Sequence, residues 1–237
     1  MDKKNHGIHV YSAGDITLKF CHRKRGKEAI ESINLISRYG GAIVHDCWSS
    51  YCACPHCGHG LCGSHLLREL TFLVDAHSYR WARHMKRLLQ ETCITVSNKP
   101  EKKLTETALA KLQKRYRTIL TQGEKELPVI PPKPSGKRGK LAKLDALNLW
   151  ERLKVQEAAV LLFAKDPFVA FTNNRAEQDL RMAKVKQKVF GCFRAEDYAH
   201  AYCRISSYLQ SMSNQGYNPL IAIQLALAGN TASVEGE

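Results

Sequence analysis

The sequence predicts an α/β fold in which a few short strands come first and helices make up most of the remaining chain. Three patterns lead to this prediction: alternating apolar and polar residues near the N-terminus, an isolated apolar run that ends at residue 45, and apolar residues at helical spacing thereafter. Hydrophobic residues make up 44% of the 237 residues and charged residues 24%, a composition that excludes a wholly disordered or collagen-like chain.

The N-terminal elements are predicted to be two strands, a helix and a third strand. Residues 8–21 alternate on both sides of a central turn, which is typical of a β-hairpin. Apolar residues recur at helical spacing over 29–36 and predict a helix. The apolar run 42–45 is typical of a buried strand, and Asp46 follows it directly.

The rest of the chain is predicted to be mainly helical. A Cys/His-rich loop is expected over 51–65, followed by one long helix that Ser64 caps and that carries an apolar stripe from Leu66 to Leu88. Shorter helical patterns cover residues 109–120, 147–163, 174–189, 195–212 and 219–228.

Positive charge is concentrated in the middle of the chain. Residues 97–145 contain 13 basic and 5 acidic side chains, a net charge of +8 out of +14 for the whole chain. The prolines and glycines after residue 127 indicate a linker. The predicted organisation is therefore a first part of the core (1–92), a basic helical insertion with a Pro-rich linker (93–145) and a helical remainder of the core (146–237).

The net charge of +14 predicts a polyanionic partner, and nucleic acid fits it best. Membrane binding is not expected, because no helical pattern combines an apolar face with a strongly basic one. The polar N-terminus lacks the apolar stretch of a secretory signal, so we expect a cytoplasmic protein. Nine cysteines, an odd number, favour reduced thiols or metal ligands over a disulfide framework.

A helix that begins at Asn173 or Asn174 carries the most specific pattern. Helical spacing places Glu177, Arg181, Lys184 and Lys188 along one face. A carboxylate at the start of such a row can hold a divalent cation, and the cations after it can neutralise phosphates. The alternative is a solvated helix with Glu-to-Arg pairs at i,i+4 spacing.

Asp46 is the second candidate acidic ligand, since functional groups of α/β sheets gather at the carboxyl ends of strands. The alternative is that Asp46 only caps the next turn. Possible zinc ligands crowd the segment that follows it, and four of them would suffice: Cys54, Cys57, His59, Cys62 and His65. Plain loop thiols and a histidine at a helix start are the alternative, because the distant second pair of a zinc finger is lacking.

Other basic residues are candidates for contacts with a phosphate backbone. Arg23, Lys24 and Arg25 follow the predicted hairpin, and Lys137 and Arg138 lie in the linker. A solvated basic turn is the alternative for the residues after the hairpin.

Several blocks of the sequence resemble the transposases of the insertion sequence 66 family. The blocks run in the family's order over essentially the whole chain, and the Asn-Asn-Arg-Ala-Glu block with its basic continuation is the most specific of them. They are the residues 44–51, 61–70, 173–181, 184–188, 191–193 and 203–209.

The resemblance implies an RNase H-like fold with a DDE active site, in which two Asp and one Glu hold two Mg²⁺ ions for cleavage and transfer of DNA strands. In family terms Asp46 matches the second Asp and Glu177 matches the Glu. The basic residues Arg175, Arg181, Lys184 and Lys188 of the same block are candidates for contacts with DNA. In the family the first Asp precedes the hairpin, and this sequence starts after that position. The expectation is therefore an N-terminally truncated C-terminal part whose mixed sheet lacks its first strand.

Two other functions stay open at this point. One is a catalytically inactive DNA-binding remnant that interferes with an intact transposase, and the other is a zinc-dependent nucleic-acid binding module. DNA is the expected partner in each case, and further copies of the chain or accessory transposition proteins are possible partners for a transposase.

Overall fold

The computed structural model describes residues 6–128 and 144–230, and over these residues the chain is a mixed α/β protein. Its strands are β1 (Gly7–Ala13), β2 (Ile16–His22), β3 (Ala42–His45) and β4 (Gly58–Leu61). Its first helices are α1 (Lys27–Ile33), α2 (Ser49–Cys52), α3 (Gly63–His77), α4 (Arg80–Ser97) and α5 (Glu106–Glu124). The later helices are α6 (Asp145–Val155), α7 (Glu157–Val160), α8 (Leu162–Lys165), α9 (Asn174–Phe190), α10 (Glu196–Asn214) and α11 (Pro219–Leu227).

The chain forms two compact units. The hairpin unit consists of residues 1–39 together with 174–237, and the helical unit consists of residues 40–173. The three-part division based on charge, 1–92, 93–145 and 146–237, stays a prediction. None of the described helices is both long enough and apolar enough to span a membrane.

The hairpin unit is built on β1 and β2, which pair antiparallel from Gly7 opposite His22 to Ala13 opposite Ile16. The two-residue turn between them uses Gly14 at a positive φ of 49°, a conformation that glycine adopts without a steric penalty. The predicted hairpin is thus confirmed. Helices α9 and α10 pack on this ribbon.

Two serine hydroxyls of helix α10 accept hydrogen bonds from backbone N–H groups at the outer edge of β2. Ser207 and Ser211 lie one turn apart on the buried face of the helix. The Thr17 N–H donates to Ser211 Oγ at 3.0 Å, and the Lys19 N–H donates to Ser207 Oγ at 2.8 Å. Both N–H groups point away from β1, and a buried N–H without an acceptor is costly, so the hydroxyls replace a neighbouring strand.

The helical unit has a large apolar core around a two-stranded parallel sheet. Strands β3 and β4 pair from Ala42 opposite Gly58 to His45 opposite Leu61. The buried cluster combines aromatic and aliphatic side chains of α3 to α8. Two of its aromatic residues also have a hydrogen-bond partner for their polar end: the Tyr116 hydroxyl donates to the Leu153 carbonyl at 2.9 Å, and Trp150 Nε1 donates to the Leu120 carbonyl at 2.8 Å.

The single long helix predicted after residue 64 is wrong. Ser78 adopts the left-handed conformation, with φ of 56°, and ends α3, after which α4 begins at Arg80. The predicted cap by Ser64 is also wrong, because the residue at the N-cap of α3 is Cys62 and its side chain makes no capping hydrogen bond. A serine at a helix end carries no strong sequence signal, so the pattern alone missed the break.

The Cys/His-rich loop predicted over 51–65 contains regular structure. It includes the end of α2 and the whole of β4. The sequence of β4 is Gly-His-Gly-Leu, which lacks the pattern of a strand. Its glycines allow a close approach instead: a Cβ on Gly60 would lie 3.1 Å from Val169 and 3.3 Å from Val44.

Candidate functional site

Asp46 lies directly after β3, as predicted, and is exposed. Its Oδ1 accepts a hydrogen bond from the Trp48 N–H at 3.2 Å, and Trp48 is the N-cap residue of α2. The turn-capping role is therefore real. It occupies one oxygen only: within the described parts of the chain, Oδ2 has no hydrogen bond, so this oxygen is available to a cation.

A chain of hydrogen bonds through two histidines fixes the backbone around Asp46. The Cys47 N–H donates to His45 Nδ1 at 3.1 Å, so His45 must carry its proton on Nε2. That proton faces His59 Nδ1 at 3.1 Å, and His59 Nε2 then donates to the Cys54 carbonyl at 2.9 Å. These contacts give each imidazole a defined orientation. Burial, assisted by His59, lowers the pKa of His45 to about 4.

The five candidate zinc ligands occupy three different elements. Cys54 and Cys57 flank the turn before β4, His59 is in β4, and Cys62 and His65 lie at the start of α3. Cys62 is buried and accepts the Asn173 N–H on its sulfur at 3.5 Å. Over residues 6–128 and 144–230, no three Cys, His, Asp or Glu side chains come together as a metal site. A zinc site stays a prediction.

Helix α9 is anchored to the hairpin by a buried carboxylate on the side opposite its basic face. Asp179 is 7% exposed, and its Oδ2 accepts hydrogen bonds from Ser12 Oγ and Thr17 Oγ1, both at 2.7 Å. The Arg175 guanidinium donates to the Gly14 carbonyl in the hairpin turn. Two contacts in the first turns of the helix thus fix its position and rotation on the hairpin.

The anchor determines where the predicted acidic and basic residues of α9 lie. Glu177 is half-buried in the first turn, and Arg181, Lys184 and Lys188 are exposed. Sequence reasoning identified this row but missed Asp179. The available signal was an acid on the same helix face as Ala183, where apolar residues are expected.

Lys19 is a second buried charge of the hairpin unit that sequence reasoning missed. Its Nζ donates to Ser206 Oγ at 2.7 Å. Burial lowers the pKa of Lys19, and the Asp179 carboxylate opposes part of this shift. The ribbon and its two helices are therefore joined by polar contacts, with Cys21, Ala199 and Cys203 as a small apolar cluster.

The basic residues after the hairpin differ in their surroundings. Arg23 forms an ion pair with Glu196 at the start of α10, with 2.6 Å between Nη2 and Oε2. This hydrogen-bonded pairing lowers the pKa of Glu196 to about 2. Lys24 and Arg25 are exposed. Within the described part of the chain, Arg23 thus has a carboxylate partner, while Lys137 and Arg138 lie outside the described residues.

Comparison with known protein families identifies one match. Residues 1–201 match the family model described as Transposase IS66 family. The chain belongs to the IS66 transposase family. No curated protein and no solved structure matches the sequence.

In this IS66 transposase the matched region includes Asp46, Glu177 and every element from β1 to the start of α10. Asp46 belongs to the helical unit and Glu177 to the hairpin unit. The metal site that the resemblance implies for these two residues therefore stays a prediction.

Proposed function

We propose that this chain is part of a DDE recombinase with an RNase H-like fold, and that the parent enzyme cleaves DNA strands and transfers them with the help of Mg²⁺. The observation that carries the proposal is the family match over residues 1–201. The parent reaction is the excision and insertion of an insertion sequence. DNA ends and target DNA are then the partners, and further copies of the chain or accessory proteins can join them.

Asp46 and Glu177 are the proposed magnesium ligands. Carboxylate oxygens are the ligands that Mg²⁺ prefers, and Asp46 offers an exposed oxygen while its other oxygen holds the backbone of the turn. Glu177 is held by a helix whose orientation Asp179 fixes. Mg²⁺ held by these carboxylates would lower the pKa of the attacking water or hydroxyl and stabilise the leaving oxygen.

The exposed cations of the hairpin unit are the proposed contacts to the phosphate backbone. Arg181, Lys184 and Lys188 follow Glu177 along α9, so the strand that reaches the carboxylate can run along these side chains. Lys24 and Arg25 are exposed as well, and Arg175 lies at the start of the helix. The linker cations Lys137 and Arg138 extend this set in sequence.

Iron-mediated cleavage of the polypeptide tests the metal ligands without requiring turnover. Fe²⁺ in place of Mg²⁺, with ascorbate and peroxide, produces hydroxyl radicals that cut the chain beside the bound ion. We expect fragments that end near residues 46 and 177, and we expect both cuts to weaken in Asp46→Asn and also in Glu177→Gln. Excess Mg²⁺ should suppress both cuts.

Two acids elsewhere serve as matched controls for this experiment. Asp166 also accepts a backbone N–H two residues ahead, from Phe168 at 2.9 Å, and Asp197 lies in the first turn of α10 as Glu177 lies in that of α9. Asp166→Asn and Asp197→Asn should leave the cuts unchanged. Cuts that persist in Asp46→Asn and Glu177→Gln would remove both residues from the proposed site.

DNA assays separate the enzyme from an inactive binding remnant. For an enzyme, Mg²⁺-dependent nicking of DNA disappears in Asp46→Asn and in Glu177→Gln. For a remnant, Glu177→Gln leaves DNA affinity unchanged or raises it, because a negative charge beside the phosphates is removed, and no nicking accompanies binding.

A further inference from the structure

The second half of α9 has an exposed apolar stripe that the proposed catalytic chemistry does not use. Asp179 and Ala183 are the buried residues of this helix, and every residue after Lys186 is exposed. The exposed fractions are 62% for Met182, 41% for Val185, 67% for Val189 and 76% for Phe190. We call Met182, Val185 and Val189 the apolar stripe.

The apolar stripe runs beside the basic residues of the same helix. Arg181, Lys184 and Lys188 each precede a member of the stripe by one position, so each cation lies about 100° around the helix from an apolar neighbour. The spacing of three and four residues is the same in both rows. The exposed surface of α9 thus presents cations on one side and aliphatic side chains on the other.

The charge around the stripe identifies an anionic occupant. From residue 180 to residue 195 the sequence contains five basic side chains and no acidic one: Arg181, Lys184, Lys186, Lys188 and Arg194. Lys186 lies over the Phe193 ring at 4.0 Å from its centroid, while the other four are exposed. The occupant must therefore combine closely spaced negative charges with apolar surface.

We propose that this half of α9 binds DNA where its bases are unpaired, with the apolar stripe against the base faces and the basic residues on the phosphates. The inference rests on the proposed function and specifies the DNA that this surface takes. Base faces are buried in a paired duplex and become available at a frayed or melted end. Proteins that open or kink DNA insert apolar side chains between bases, and single-strand binders combine base contacts with a positive groove.

Phe190 extends the same surface by one further contact. It is the last residue of α9, and Gly191 after it has a positive φ of 73°, which ends the helix. An exposed aromatic ring at a helix end can stack on a base, an interaction that tolerates any base sequence. The surface therefore predicts a preference for DNA structure rather than for a particular sequence.

Equilibrium binding of the full chain to two fluorescent DNAs tests the proposal. One is a fully paired short duplex, and the other has the same length and phosphates but a few unpaired bases at one end. We expect the wild-type chain to bind the splayed duplex about tenfold more tightly, since apolar and stacking contacts with unpaired bases together supply an affinity of this order. Met182→Ser/Val189→Ser should lose most of this preference, and the added change Phe190→Ser the rest, while both variants retain their affinity for the paired duplex.

Two further variants make the result specific to the stripe. Lys184→Gln/Lys188→Gln should weaken binding to both DNAs alike and lower the slope of log affinity against log salt by about two. Ile205→Ser, which changes an exposed apolar residue of α10, should keep the preference. Equal melting curves by circular dichroism show that the variants remain folded.

The outcomes separate this inference from the proposed function. Wild-type binding to both DNAs with equal affinity, or a preference that Met182→Ser/Val189→Ser retains, overturns the inference and leaves the transposase proposal standing. Absence of any salt-dependent DNA binding overturns both. Loss of self-association or of binding to an acidic protein in Met182→Ser/Val189→Ser, with the DNA preference intact, assigns the stripe to protein contacts and also overturns the inference.

Discussion

The two units of this transposase are stabilised by different kinds of interaction. The helical unit buries large apolar side chains, among them Leu70, Trp81 and Tyr116, each at most 1% exposed. The hairpin unit has a smaller apolar cluster and also buries polar and charged groups, including Thr17, Lys19 and Asp179. Apolar burial depends on area and tolerates small displacements, whereas buried hydrogen bonds require defined partners and geometry.

The hairpin unit is therefore the unit in which contacts fix the orientation of a helix most precisely. A carboxylate with two hydroxyl donors defines the rotation of α9, on which Glu177 and the exposed cations lie. The proposed function requires a fixed orientation of α9, because metal ligands and phosphate contacts must be correctly placed. The helical unit, by contrast, supplies bulk stability to the turn that carries Asp46.

Truncation of a core leucine should have the largest effect, and it should appear in the helical unit. Leu70→Ala removes a fully buried side chain, so we expect the free energy of unfolding to fall by about 2–5 kcal/mol. Trp48, Trp81 and Trp150 all lie in this unit, so tryptophan fluorescence during urea denaturation reports on it selectively.

Phe72 provides the control for Leu70 within the same helix. It is about half exposed, so Phe72→Ala should change the free energy of unfolding by less than about 0.5 kcal/mol. If Phe72→Ala matched Leu70→Ala in effect, the apolar core would not be the source of this unit's stability.

Removal of the Asp179 carboxylate should have the next largest effect, confined mainly to the hairpin unit. Asp179→Ala leaves the Ser12 and Thr17 hydroxyls without their acceptor, and we expect it to cost about 2–4 kcal/mol. Amide hydrogen exchange of peptides from β1 and β2, read by mass spectrometry, measures the loss of protection.

Asp179→Asn and a substitution at an exposed acidic residue are the comparison variants for this experiment. The amide retains one acceptor oxygen, so Asp179→Asn should recover part of the protection, whereas Asp197→Ala on α10 should not reduce it. Asp179→Ala should lower the stability reported by tryptophan fluorescence much less than the stability reported by exchange in β1 and β2. If the two fall equally, Asp179 does not act mainly on the hairpin unit.

The same difference explains which parts of the fold the sequence predicted. Apolar residues at helical spacing identified α5 through Leu112, Tyr116 and Leu120, because the periodicity of a helix face is a local property of the sequence. The hairpin and the position of Asp46 after β3 were predicted for the same reason. Strand β4 was missed since its stability comes from parallel pairing with β3 and not from its own residues.

Long-range polar partners account for the features of the candidate site that escaped prediction. Asp179 and Thr17 are separated by 162 positions, and Arg23 and Glu196 by 173, so no local pattern connects them. The acid and base row of α9 was visible because its members share one helix. Which side of that helix is anchored depends on contacts that only the folded chain brings together.

The ion pair between Arg23 and Glu196 should give the smallest effect, and it should depend on pH. The hydrogen bond from Arg23 lowers the pKa of Glu196 to about 2 from an ordinary value of 4.5. Because the folded state prefers the charged carboxylate, the stabilisation is fully present above pH 4.5 and is lost as the pH falls toward 2.

Thermal midpoints by circular dichroism should therefore differ between wild type and Arg23→Gln near neutral pH and converge in acid. Lys24→Gln removes an exposed neighbouring cation, so its thermal midpoint should differ from that of the wild type by the same amount at every pH. If the midpoints of Lys24→Gln and the wild type also converged in acid, the pH dependence would not come from the pair of Arg23 and Glu196.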